Sequence, residues 1–146
     1  MNAMERLVDI LVAVVLMFLL PLLYYGSGKE ISRTVLAGQA GEIFLKRICT
    51  AGEISLPVWR ELEAALNKYD CDNVEILRER YLYEPDGTNG NVVRRLYEES
   101  KETLLVQLHE DGRCKLQKGD CMKLTIYINE TPMLYFDYVR TGATES

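Results

Sequence analysis

Nineteen consecutive residues near the N-terminus, Leu7–Tyr25, read LVDILVAVVLMFLLPLLYY, and Asp9 is the only charged residue among them. At 1.5 Å per residue a helix of this length covers about 28 Å, close to the ~30 Å hydrocarbon core of a bilayer. The pattern predicts a membrane-spanning helix with little tilt, anchored through Leu7, Ile10, Val14, Phe18, Pro21, Tyr24 and Tyr25. The two tyrosines suit the interfacial belt where a helix leaves the bilayer. Pro21 removes one backbone hydrogen bond and favours a bend near Met17. A secretory signal is the competing reading, with Gly26, Ser27 and Gly28 offering small residues to a peptidase. A retained anchor is favoured because the run exceeds the usual signal core of about 7 to 15 residues and because Arg6 is the only basic side chain before it.

Beyond a break expected at Gly26-Ser27-Gly28, Ile31, Val35, Ala40, Phe44 and Ile48 recur about every four residues. Lys29, Arg33, Gln39, Glu42, Lys46 and Arg47 occupy the rest of the axis, which predicts an amphipathic helix from Glu30 to Cys49. Gly38 and Gly41 each cost such a helix about 1 kcal/mol relative to alanine, so it must draw its stability from docking, as on a sheet. Ser55 is the expected N-cap of a second helix, with Val58, Leu62, Ala65, Leu66 and Tyr69 as its buried stripe and Trp59 and Arg60 off that stripe.

From Asn73 onward the period is two. Val74, Ile76 and Leu82 share one face of NVEILRERYLY, and Glu75, Leu77, Glu79, Tyr81 and Tyr83 share the other, which predicts a strand. Residues 84–91, EPDGTNGN, form a turn-rich loop. Val92–Lys101 fits a short helix or a strand, Thr103–His109 fits a strand, and Asp111-Gly112 and Lys118-Gly119-Asp120 are turn signals. Lys123–Asn129 alternates with Leu124, Ile126 and Ile128 inward, and Met133–Val139 alternates with Leu134, Phe136 and Tyr138 inward. The intervening Asn-Glu-Thr-Pro predicts a hairpin. The expected class is α+β: a transmembrane helix continuing into an amphipathic helix, a second short helix, then a small antiparallel sheet. The expected organisation is an anchor at 1–28, an α+β domain at 29–140 and a frayed polar tail at 141–146.

Composition adjusts this picture only slightly. With 146 residues the chain has room for one small domain, which excludes a multi-domain enzyme. The formal charge of -5, from 17 basic and 22 acidic residues, gives no electrostatic footprint for nucleic acid. His109 is the single histidine, so no His-pair metal site can be built. It lies beside Glu110 and Asp111, yet no motif places a nucleophile with it, and it reads as a surface residue at a strand end. Cys114 and Cys121 bracket a short loop and are a candidate disulfide, because strand-end cysteines of this kind can bring their Cα atoms within about 4.4 to 6.8 Å. Reduced, partly buried thiols are the leading reading. All four cysteines follow the apolar run, an even number that suits an oxidising exterior, whereas the flanking charges, Arg6 against Lys29 and Arg33, leave the topology tied. The C-terminal domain is therefore expected outside the cell membrane. No catalytic residue, metal ligand, cofactor-binding set or small-molecule substrate is indicated, and Asp86-Gly-Thr-Asn-Gly lacks the lysine of a phosphate-binding loop.

The order of parts resembles the TadE-like minor pilins and pseudopilins of tight-adherence (Tad) pili and related type IV pilus or secretion assemblies. The resemblance lies in FLLPLLYYGSGKEI, Phe18–Ile31, in the following ISRTVLAGQAGEIFLKRI, and in GDCMKLTIYI, Gly119–Ile128. It implies a single-pass, non-enzymatic component whose partners are the lipid bilayer and other pilin-like or secretion-system subunits, including copies of itself. MNAMERLVDILV contains no glycine, so leader cleavage is not expected, and Glu5 or Asp9 would stand in for the family's assembly glutamate. A membrane-tethered adapter, binding a protein partner through the sheet edge or the Trp59 region, is the alternative.

Overall fold

The computed structural model describes residues 2–142. Helix α1 spans Ala3–Ala51 and runs without interruption through Pro21 and through Gly26–Gly28, where a break was expected. Glycine weakens a helix by about 1 kcal/mol but does not end it unless a left-handed cap or a proline follows, and neither does here. The chain divides into two compact units between Val35 and Leu36.

The first unit is the N-terminal part of α1. Glu5 sits in its first turn, where a negative side chain complements the helix dipole. From Leu7 to Tyr25 every residue is exposed within the chain, and so are Ile31 and Val35, which the four-residue recurrence places on the apolar face of an amphipathic helix.

The second unit contains the rest of α1, then β1 (Glu53–Ser55), α2 (Leu56–Lys68), β2 (Asn73–Pro85), β3 (Val92–Glu99), α3 (Lys101–Asp111), β4 (Arg113–Lys115), β5 (Cys121–Ile128) and β6 (Thr131–Tyr138). Strands β1 and β4 form a two-stranded antiparallel sheet, and the other four form a sheet in the order β3-β2-β5-β6, antiparallel throughout. The class is thus α+β, as expected.

Within this unit Ala37, Phe44, Leu45, Ile48 and Cys49 of α1 are buried with Met122, Leu124, Ile126 and Ile128 of β5. The two glycines of α1 make the helix–sheet approach close. A Cβ on Gly41 would lie 2.8 Å from Ile126 Cδ1 and 3.1 Å from Leu124 Cδ2, and one on Gly38 would strike the Tyr135 ring. Their propensity cost is offset by the contact they permit.

Ser55 is the N-cap of α2 in extended conformation, with Pro57 in the first turn. The buried stripe of α2 is Trp59, Leu62 and Leu66, which corrects the placement of Trp59 off that stripe. The indole packs edge-on against Phe44 with centroids 5.9 Å apart, and its Nε1–H donates to Glu63 Oε1 at 2.9 Å. Burial is therefore compatible with its one polar atom.

Two further expectations change, and the open choice at Val92–Glu99 falls to a strand. Thr103–His109 belongs to helix α3, with Ser100 as N-cap and Gly112 in the left-handed conformation at its C-terminus. Leu104 and Leu108, one helical turn apart, are its buried residues. In β6 the inward residues are Met133 and Tyr135, while Leu134, Phe136 and Tyr138 are 61%, 62% and 57% exposed. The cause is the hairpin turn. Asn129 and Glu130, with φ of 50° and 62°, close a two-residue loop that pairs Ile128 with Thr131, so Met133 falls opposite Ile126 and Tyr135 opposite Leu124. A shift of one residue would have moved the whole set to the other face. The start of the expected frayed tail is tied down, since the Thr141 hydroxyl donates to the Thr50 carbonyl at 2.6 Å, beside the Arg140 N–H that donates to the Cys49 carbonyl. Residues 143–146 of that tail lie outside the described residues.

Candidate functional site

The first candidate is the apolar part of α1. It contains a stretch long and apolar enough to cross a membrane, and none of it is buried within the chain. Leu7, Ile10, Val14, Phe18, Tyr24 and Tyr25 are between 48% and 84% exposed, and Pro21 is exposed as well. Leaving so many large apolar side chains in water has no compensation within the chain, and burial of each in lipid or protein is worth about 1.5 to 3 kcal/mol. Glu5 and Asp9 are exposed and four residues apart, one turn along the same face at the N-terminal end of this segment.

The second candidate is a polar corner of the four-stranded sheet that the alternation of β2 did not reveal. Arg78 and Arg80 follow Val74 and Ile76 at inward-facing positions of β2. The Arg78 guanidinium pairs with Glu99 of β3 and donates to the Lys115 carbonyl at 3.0 Å. Arg80 donates through Nε and Nη2 to the two carboxylate oxygens of Asp120, each at 2.8 Å. Asp120 is 1% exposed and also accepts the Gln117 N–H at 2.9 Å. The hydrogen bond to Asp120 holds Arg80 still more firmly in its charged form. These groups border a cavity of about 690 Å³ lined by Arg78, Arg80, Gln107, Arg113, Cys114 and Lys118, among others.

The chemistry available in that corner is limited by pairing. Each arginine is matched by a carboxylate, so the two guanidinium groups act as clasps between strands rather than as open anion receptors. The Cys114 thiol donates to Gln107 Oε1 at 3.1 Å, and burial pushes its pKa up, which keeps it a neutral and weakly nucleophilic thiol. His109 is exposed on the last turn of α3 rather than at a strand end, with Nδ1 2.8 Å from the Leu105 carbonyl. Among the described residues no group of three or more His, Cys, Asp or Glu side chains is placed to hold a metal ion.

Cys114 and Cys121, the candidate disulfide, are both free thiols in the structure, as is Cys49. The physical reason is topological. Cys114 lies in β4 opposite Ile54 of β1, whereas Cys121 opens β5 of the other sheet, opposite Glu79 and Tyr138. Cys121 is raised in pKa by burial, and the Cys49 thiol is pushed up to about 12, chiefly by burial and then by the nearby Asp137.

The residues that sequence reasoning missed, Arg78, Arg80 and Asp120, carried one signal: arginines at the inward parity of an otherwise apolar strand face demand buried acidic partners. Compared with protein-family models, with curated proteins and with solved structures, the chain matches none.

Proposed function

We propose that this chain is a single-pass membrane protein of the pilin-like type, a non-enzymatic component of a pilus or secretion assembly that works by packing against other subunits. The observation that carries the reading is the apolar stretch of α1, none of which is buried within the chain. Such a segment serves first as an anchor in the bilayer and then as a packing surface against copies of itself or related subunits. The close docking of Gly38 and Gly41 onto the sheet supports it, since it gives the helix a folded head to carry. In this reading the second unit lies outside the cell membrane.

The test is a comparison of two changes in the full chain expressed in membranes. Val14→Asp places a charge at mid-helix, where it costs about 2.5 to 3.5 kcal/mol on insertion scales, and should abolish both carbonate-resistant membrane retention and higher-order assembly. Replacing Leu7–Tyr25 by an unrelated spanning helix should preserve retention and still abolish assembly. If the replacement leaves assembly intact, the anchor is only a tether. The adapter reading, which the exposed Leu134, Phe136 and Tyr138 of β6 favour, likewise expects the unrelated helix to be tolerated, but with a different protein bound in place of further copies. Trp59 is buried and offers an adapter no surface.

A further inference from the structure

The four-stranded sheet has two open edges, β3 and β6, and their chemistry matches. In β6 the two-residue turn makes Ile128 and Thr131 a hydrogen-bonded pair, so alternation turns Met133, Tyr135 and Asp137 towards β5. The backbone groups of Leu134, Phe136 and Tyr138 therefore point outward. In β3 the Asp86 N–H donates to the Asn91 carbonyl at 2.6 Å, and the same alternation turns Val93, Arg95, Tyr97 and Glu99 towards β2. The outward backbone groups there belong to Val92, Arg94, Leu96 and Glu98.

These two outward sets also share a sheet face. Leu134, Phe136 and Tyr138 lie opposite Thr125, Lys123 and Cys121 of β5, which in turn lie opposite Glu75, Leu77 and Glu79 of β2. Glu98, Leu96 and Arg94 lie opposite Glu79, Tyr81 and Tyr83 on that same face. The strands β3 and β6 run in opposite senses, because three antiparallel steps separate them. A second copy added by simple translation would therefore bring its β3 antiparallel to the first copy's β6, with hydrogen-bonding positions and side-chain faces in phase.

We propose that β6 of one copy pairs with β3 of the next, joining the sheets of successive copies head to tail. The proposal rests on the reading of this chain as a self-packing subunit and assigns the surface. One register is favoured by charge and ring complementarity. It places Phe136 opposite Leu96 of the neighbouring copy and Tyr138 opposite Arg94, which already stacks 3.6 Å over the Tyr81 ring in its own chain. On the other face it places Asp137 opposite Arg95. The exposed residues that would be covered include Phe136 at 62%, Leu134 at 61% and Leu96 at 45%. Such a junction is heterologous, using two different patches, and so extends rather than closing at a dimer.

The test uses the full chain reconstituted in phosphatidylcholine vesicles, with amine-reactive cross-linking read as a ladder on a denaturing gel. The wild-type chain should give a ladder. Asp137→Arg and Arg95→Asp should each lose it, because each sets like charges opposite one another. The two single variants mixed in equal amounts should regain it, since every unlike junction is complementary, and the double variant should regain it alone. Trp59 fluorescence checks that each variant is folded. Loss that neither mixing nor doubling rescues overturns the proposal, and so does a wild-type species that stops at a dimer, which is what pairing of β6 with a second β6 would give. A ladder indifferent to both single changes, or a wild-type chain with no species above monomer, also overturns it. A ladder abolished by Val14→Asp but indifferent to the charge changes leaves the anchor reading standing without this junction. The converse result leaves the junction standing and removes the anchor from assembly.

Discussion

Truncating Asp120 removes the acceptor at the centre of the sheet's polar corner. Its carboxylate takes both hydrogen bonds of Arg80 at 2.8 Å and the Gln117 N–H at 2.9 Å, and its backbone accepts the Val139 N–H at 2.9 Å. Asp120→Ala keeps the backbone contacts and orphans the other groups. Breaking a buried pair by removing one partner costs about 3 to 5 kcal/mol. The Arg80 side chain is 23% exposed and can take up water, so the lower end applies, about 3 kcal/mol. For a folded unit of this size that lowers Tm by roughly 10 to 15 °C. Arg80→Ala should cost less, since Asp120 keeps the Gln117 N–H, and the double variant should cost no more than Asp120→Ala alone. The assay is urea unfolding of the full chain in detergent micelles followed by Trp59, the only tryptophan, which is 2% exposed and reports the α1–α2 core. A coupling energy below about 0.5 kcal/mol between the two sites would show that the pair is a surface contact in effect and refute the reasoning.

Three other outcomes follow from the same structure. Burial raises the Cys49 thiol from an ordinary 9.0 to about 12, so the native chain holds its proton where the unfolded chain loses it. Stability is intact below pH 9 and falls by up to about 1.4 kcal/mol per pH unit as pH climbs towards 12. Cys49→Ala should flatten part of that slope in urea midpoints measured across the range, and Cys114, Cys121 and Tyr135, which shift the same way, contribute to the remainder. Gly41→Val would drive branched carbons into Ile126 and Leu124 and should cost at least the 1 to 3 kcal/mol typical of overpacking, read as a loss of Tm; an unchanged Tm would mean that the helix is not docked so closely. Leu108→Ala, at a side chain 2% exposed, should cost about 2 to 5 kcal/mol by the same measurement.

Elements whose local signals agreed were readable in advance. The inward residues of β5, Leu124, Ile126 and Ile128, and the α2 start at Ser55-Leu-Pro are where expected. Helix α3 was misread because Leu104, Leu105 and Val106 form a short apolar run that periodicity cannot divide between strand and helix. Its caps held the answer. Ser100 precedes it and Gly112 follows with φ of 72°, but Asp111-Gly112 reads equally as a turn dipeptide. The Arg80–Asp120 clasp was beyond reach for a different reason: it joins residues forty positions apart, and nothing local in Lys118-Gly119-Asp120 says that its acid is buried.

The misassigned face of β6 is informative beyond its own correction. The two parities of Met-Leu-Tyr-Phe-Asp-Tyr are Met133, Tyr135 and Asp137 against Leu134, Phe136 and Tyr138, so alternation alone favours the wholly apolar set for the core, and the turn geometry at Asn129 and Glu130 chooses the other. The choice leaves one apolar set with nothing over it. For a central strand that outcome is ordinary, because both faces are covered. For an edge strand it is costly, since an open, hydrophobic edge invites pairing, and edges that must stay single are blunted with lysine, proline or bulges. Pro132 is the only such device in β6, and it lies at the turn end, outside the Leu134–Tyr138 stretch. Asp137 curls back to accept its neighbour's N–H at Tyr138, and it is a contact that a better-placed partner can replace. An edge strand whose wholly apolar parity is turned outward by its hairpin register, with Asp137 as its one charge, is therefore the segment of this sheet where the proposed junction can be read back into the sequence.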